Sequence, residues 1–121
     1  MYRISQELDL KEIIGSELNQ ISLGKYDVQF SFLVDTIIAV QSDVTLLKGE
    51  TAISTWNESD NWSTLSFQEL LNVPVTRYSV PNNKLLQIEF DNGLVLQIHD
   101  NLDQYESFQI TKKGSSEIIV V

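Results

Sequence analysis

FSFLVDTIIAVQSD (residues 30–43) and IEFDNGLVLQIHDN (residues 88–101) read as one hairpin written twice. The two stretches align without a gap, and each places apolar residues on alternate positions about a three-residue tip. Side chains in a strand alternate between faces, so Val28, Phe30 and Phe32 point one way in the first copy, and Leu86, Ile88 and Phe90 in the second. Cross-strand partners share a face, and a one-residue slip would turn the whole apolar set to solvent. With Asp91, Asn92 and Gly93 as the tip, Phe90 faces Leu94, Ile88 faces Leu96 and Leu86 faces Ile98. A two-residue Asn92-Gly93 turn would pair Phe90 with Val95 and mix the faces, so Gly93 is expected in the left-handed region as the last loop residue. In the first copy Phe32 faces Thr36, Phe30 faces Ile38 and Val28 faces Val40. Asp35 takes the place of Gly93, and Asp tolerates that region better than most residues.

Before the first copy, Asp9 and Glu12 have capping-box spacing, Leu10, Ile13 and Ile14 share a face, and Gly15 stops the run, which predicts a short helix. Residues 18–23 alternate ahead of Gly24 and predict a strand, and residues 44–48 predict another. The segment STWNESDNWS (residues 54–63) is the most polar of the chain yet holds both tryptophans. A second helix signal follows, with Ser66 and Glu69 as reciprocal caps over Phe67, Leu70 and Leu71, ended by Asn72 and Pro74. Residues 73–80 lie between two prolines and predict an edge strand. Residues 105–111 and 117–121 close the chain as two strands. Eight or nine strands and two short helices give a mainly β (α+β) single domain over residues 1–121. The expected form is an antiparallel β-sandwich built from two similar hairpin halves, with a partly open barrel as the alternative.

With 121 residues and 42% hydrophobic content the chain can build a core. No apolar run approaches the roughly 20 residues that span a bilayer, and the first residues show no basic region followed by an apolar stretch. The absence of cysteine excludes disulfides and thiolate ligands and suits the cytoplasm. Seventeen acids against eight bases leave a formal charge of −9. No Lys or Arg falls between Gly49 and Thr76 or between Leu85 and Thr111, windows that hold Glu50, Glu58, Asp60 and Glu69, then Glu89, Asp91, Asp100, Asp103 and Glu106. Such a surface repels nucleic acid and anionic membranes and attracts cationic proteins; its plain alternative is solubility.

Catalytic and metal-site patterns are not visible. His99 is the single histidine and the first candidate for proton transfer, yet parity places it on an outer sheet face beside Gln97 and Gln87, with Asp100 pointing the other way and no hydroxyl or second acid set by sequence to join it. Asp100, Asn101, Asp103 and Glu106 offer oxygen ligands without the spacing of a calcium loop, so no metal and no cofactor is expected. Trp62 precedes the second helix and reads as a staple packed back on it. Trp56, followed by Glu58 and Asp60, has the composition of an exposed binding hot spot for a basic partner, or of an indole tucked under its own loop. Glu106 shares the parity of Phe108 and Ile110 and reads as a structural acid at a sheet rim. The outer face of the second hairpin, with Gln87, Glu89, Gln97 and His99, has the mixed polarity of a partner-facing patch. The candidate binding set is therefore Trp56, Glu58, Asp60, Gln87, Glu89, Gln97, His99, Asp100 and Asp103.

The run LLQIEFDNGLVLQIHDNLDQYESFQI (residues 85–110), with its F-D-N-G tip and Y-E-S closing strand, resembles small bacterial proteins found among the immunity proteins of contact-dependent growth inhibition and related polymorphic toxin systems. The likeness extends more loosely over residues 21–43. It implies a cytoplasmic antitoxin that binds and blocks a toxin domain, commonly a nuclease. The acidic charge makes a basic toxin domain the expected partner, with no nucleic acid and no membrane, and the chain is expected as a monomer or weak homodimer. It supplies no binding residues that can be carried over. The alternative function is a structural or regulatory interaction module with no toxin partner.

Overall fold

The computed structural model describes residues 3–102, 106–112 and 118–121. Among the described residues, eleven strands form two antiparallel sheets. In chain order they are β1 (Leu18–Leu23), β2 (Val28–Phe32), β3 (Thr36–Val40), β4 (Val44–Lys48), β5 (Thr51–Asn57), β6 (Asn61–Trp62), β7 (Val75–Asn82), β8 (Leu85–Phe90), β9 (Leu94–His99), β10 (Phe108–Lys112) and β11 (Ile118–Val120). The five-stranded sheet runs β1-β2-β3-β10-β11 and the six-stranded sheet β6-β5-β4-β9-β8-β7, so the two are not joined into a closed barrel.

Both hairpins take the expected register. Val28 pairs with Val40 and Phe30 with Ile38 in the first, and Leu86 with Ile98 and Ile88 with Leu96 in the second. The tips also match: Asp35 and Gly93 both have positive φ, 62° and 86°, and each donates its backbone N–H to the carbonyl three residues back, on Phe32 and Phe90. The apolar sets of the two sheets, including Phe30, Ile38, Leu46, Ile88, Leu96 and Ile110, belong to one buried cluster. Burying each such side chain contributes about 1.5–3 kcal/mol, which is why the alternation of the sequence fixes the register.

The order of strands shows how the two copies combine. The meanders β1-β2-β3 and β7-β8-β9 lie in different sheets, and the strand after each meander leaves it for the other sheet. Thus β4, which follows β3, pairs with β9, while β10, which follows β9, pairs with β3. Each half therefore completes the sheet begun by the other. At the crossing, Asn101 Nδ2 donates to Asp43 Oδ2 at 3.0 Å, and the Asp43 backbone N–H donates to Asn101 Oδ1 at 3.3 Å. These residues are 58 apart and occupy the same position in the two copies. The seam thus lies on the pseudo-twofold relation that the repeated hairpin announced.

Several expectations are corrected. The polar run at residues 54–63 is not a plain loop but the hairpin β5-β6, in which Ser63 and Thr64 hydroxyls bond the backbone of Thr55 and Ile53. The strand count is accordingly above the eight or nine expected. The two helices are short 3-10 segments, Lys11–Ile13 and Leu65–Leu70. Glu12 does not close a capping box, because its carboxylate meets Lys112 Nζ at 3.1 Å, and Thr64 rather than Ser66 caps the second segment through the Ser66 N–H. Strand β7 does lie at a sheet edge, as its prolines required.

Residues 1–71 and 72–121, prepared as separate chains, are expected to lack cooperative structure alone and to regain a strand spectrum and a sharp urea transition when mixed, since each sheet takes strands from both. A folded monomeric half, seen by circular dichroism, would contradict the exchange.

Candidate functional site

The outer face of the six-stranded sheet carries polar rows that run across several strands. One row is Thr55, Thr45, Gln97, Gln87 and Ser79, each paired with the next. Within it Gln97 Nε2 donates to Gln87 Oε1 at 3.0 Å. A second row sets Val95 beside Glu89 and Glu89 beside Arg77, whose Nε lies 2.8 Å from Glu89 Oε2. The structure thus brings Gln87, Glu89, Gln97 and His99 to one face, with Glu89 already paired to a cation.

On this face His99 Nε2 lies 3.1 Å from Thr45 Oγ1, a hydroxyl that β4 delivers and sequence spacing did not reveal. Burial holds the imidazole below its ordinary value of 6.5, and the Asp43 carboxylate opposes that shift. The ring is therefore neutral near pH 7, able either to accept the threonine proton or to donate its own.

Two candidates turn inward. Trp56 is 1% exposed, paired with Val44 on one side and Trp62 on the other. Its acidic sequence neighbours belong to the hairpin tip, whereas the strand's alternation sends the indole to the core, so it is withdrawn from the binding set. Trp62 packs as a staple would, stacked on Phe67 at 4.5 Å and edge-on to Phe30 at 6.5 Å. Asp100 is also withdrawn: its carboxylate is fully buried at the crossing, accepting from Ser107 Oγ at 2.6 Å and from Arg3 Nη1 at 3.0 Å. Its role is structural. Ser42, its counterpart in the first copy, is equally buried. Asp103 lies outside the described residues.

Glu58 and Asp60 remain exposed at the β5-β6 tip. Asn57 Oδ1 accepts the backbone N–H of Ser59 at 3.0 Å and of Asp60 at 2.8 Å, a local Asx turn that sets the tip's shape. Glu106 corrects another expectation. Strand β10 begins only at Phe108, so strand parity does not reach Glu106, and the acid is exposed.

The same end of the fold gathers a residue the sequence reading passed over. Tyr26, 58% exposed, stands in the turn between β1 and β2, where the Gly24 N–H donates to the Asp27 carbonyl at 2.9 Å. Among the described residues, a cleft of about 390 Å³ is lined by Tyr26, Gln41, Glu58 and Leu102. Gln41 also lines a smaller crevice with Asp27 and Glu106. Turns of both sheets meet here because β3 ends, β4 begins and β5 ends at this side of the crossing. The signal available beforehand was the triplet Lys25-Tyr26-Asp27 directly after Gly24, an aromatic in a turn. Among the described residues no group of three His, Asp or Glu side chains is placed to hold a metal ion.

Comparisons with protein-family models, with curated proteins and with solved structures give no significant match for this chain.

Asp100→Ala leaves the buried Ser107 hydroxyl without its acceptor and is expected to cost about 1–3 kcal/mol in urea unfolding. Because the folded-state value of His99 is depressed, its contribution to stability is present above pH 6.5 and lost as pH falls through the folded value. His99→Gln should flatten that part of the stability profile, read as the wild-type minus variant difference.

Proposed function

We propose that this chain is an immunity protein, an antitoxin that binds and neutralises a basic toxin domain in the cytoplasm, with a nuclease as the class whose charge fits best. The observation that carries this reading is the end of the fold where Tyr26, Gln41 and Glu58 line one cleft and Asp27 and Glu106 the crevice beside it. Exposed carboxylates around an exposed aromatic on a rigid frame suit a cationic protein surface: the charges steer the encounter and the ring supplies contact area. A nuclease groove, built to hold a polyanion, has the complementary sign. The net charge of −9 acts in the same direction at longer range. In this reading the two sheets are the layers of a sandwich that serves only to hold the binding end, and the resemblance of residues 85–110 to immunity proteins points the same way.

A second reading, a salt-insensitive interaction module, draws on the outer face of the five-stranded sheet. There Ile37 pairs with Thr111 and Thr111 with Ile118, and Ile37 and Ile118 are exposed, as are Leu33 and Val34 in the β2-β3 turn. Binding through that face would survive high salt, whereas binding through the acidic end would not.

The test pairs this chain with the C-terminal domain encoded by the adjacent upstream reading frame. That domain is expected to arrest growth alone and to be harmless when this chain is co-expressed, and the purified complex should dissociate as salt is raised through the range that screens exposed charges. Growth arrest that co-expression leaves unchanged would overturn the antitoxin reading. A complex indifferent to salt would favour the module.

A further inference from the structure

We infer that the cleft between Tyr26, Gln41, Glu58 and Leu102 is a receptacle for a single arginine side chain of a protein partner, an inference that rests on the binding role proposed above.

Three polar residues from three separate turns line this cleft. Tyr26 comes from the β1-β2 turn, Gln41 from the exit of β3 and Glu58 from the β5-β6 tip. Among the described residues, the Glu58 carboxylate, the Gln41 side-chain amide and the Tyr26 hydroxyl engage no hydrogen-bond or ion-pair partner. The acids of the adjoining crossing differ: Asp43 is held by Asn101, and Asp100 by Arg3 and Ser107. The volume of about 390 Å³ lies at the lower end of the roughly 300–1,000 Å³ typical of ligand sites, enough for one long side chain and the backbone that bears it.

The chemistry of the lining selects the occupant. A carboxylate excludes anions and favours a cation. A carboxylate and an amide carbonyl together offer acceptors for several N–H donors, which the five-donor fork of a guanidinium uses more fully than the point charge of an ammonium. The exposed tyrosine ring offers the flat guanidinium a stacking face, for which it competes with Lys25, whose Nζ lies 5.3 Å from the ring centroid. Leu102 supplies apolar surface for the methylene stem. Asn57 holds the tip that carries Glu58 through two backbone N–H bonds, so part of the ordering cost is met before binding.

The test is a titration of the 15N-labelled full chain with N-acetyl-arginine methylamide, and with the lysine and citrulline equivalents, followed by amide chemical shifts. The arginine compound is expected to give saturable shifts at Tyr26, Gln41 and Glu58, the lysine compound a several-fold weaker response at the same amides, and the neutral citrulline compound none. Glu58→Gln and Tyr26→Leu should each weaken the arginine response roughly fivefold or more without altering the circular dichroism spectrum. Equal responses to arginine and lysine, shifts spread over distant acids such as Glu50 and Glu69, or no saturable response would overturn the receptacle. Glu58→Gln that protects growth and captures the toxin domain as well as wild type would also overturn it, while leaving the antitoxin reading intact. Loss of growth protection by the wild-type chain itself would instead overturn the partner.

Discussion

A three-stranded meander leaves the outer edge of its third strand unpaired, and a row of free N–H and C=O groups is both costly to bury and prone to join another chain. This protein meets that constraint twice by exchange. The edge of β3 is covered by β10 and the edge of β9 by β4, each strand arriving from the opposite half of the chain. Every other feature of the fold follows from this reciprocity. The apolar faces of both sheets feed one core, and the crossing of the chains becomes the point on which the structure turns.

That crossing is polar, and most of its polarity is satisfied; among the described residues the buried Ser42 hydroxyl is the exception. Asp43 and Asn101 bind each other from equivalent positions, while Asp100 takes donors from Ser107 and from Arg3, whose side chain remains partly exposed. Backbone bonds from Gln41 and Ser42 to the Ser107 carbonyl, and from His99 to the Asp43 carbonyl, complete it. A buried carboxylate so paired is weak evidence for extra stability, but removal of any one member strands the others. The corner thus specifies which strand goes to which sheet.

Function, in the reading proposed here, is a consequence of the same crossing. Where the chain changes sheets, the turn before β2, the exit of β3 and the tip beyond β5 are drawn to one end, and with them Tyr26, Gln41 and Glu58. Residues remote in sequence acquire a common cleft without any one stretch carrying a motif. The outer face of the six-stranded sheet, with Thr45, Gln97 and His99 in register, is a second product of strand order, assembled from both halves.

The sequence by itself determined the two hairpins to the residue. Alternation selected the buried faces, and the parity argument placed Asp35 and Gly93 in the left-handed region, because those outcomes depend on neighbours within a dozen residues. It also exposed Glu58 and Asp60, which lie at a turn. The same local reasoning failed at Trp56, whose polar surroundings concealed the alternation of β5. It failed at Glu106 as well, where strand parity was extended past the end of β10; at Asp100 parity gave the inward side, and only the binding role assigned to that acid was wrong. Only the tertiary structure decided that β4 and β10 trade places, that Asp100 closes the corner, that Thr45 meets His99, and that Tyr26 shares a cleft with Glu58. Each of those facts depends on which distant strands become neighbours. That choice is made by the edges and core of the whole chain, and no short-range pattern encodes it.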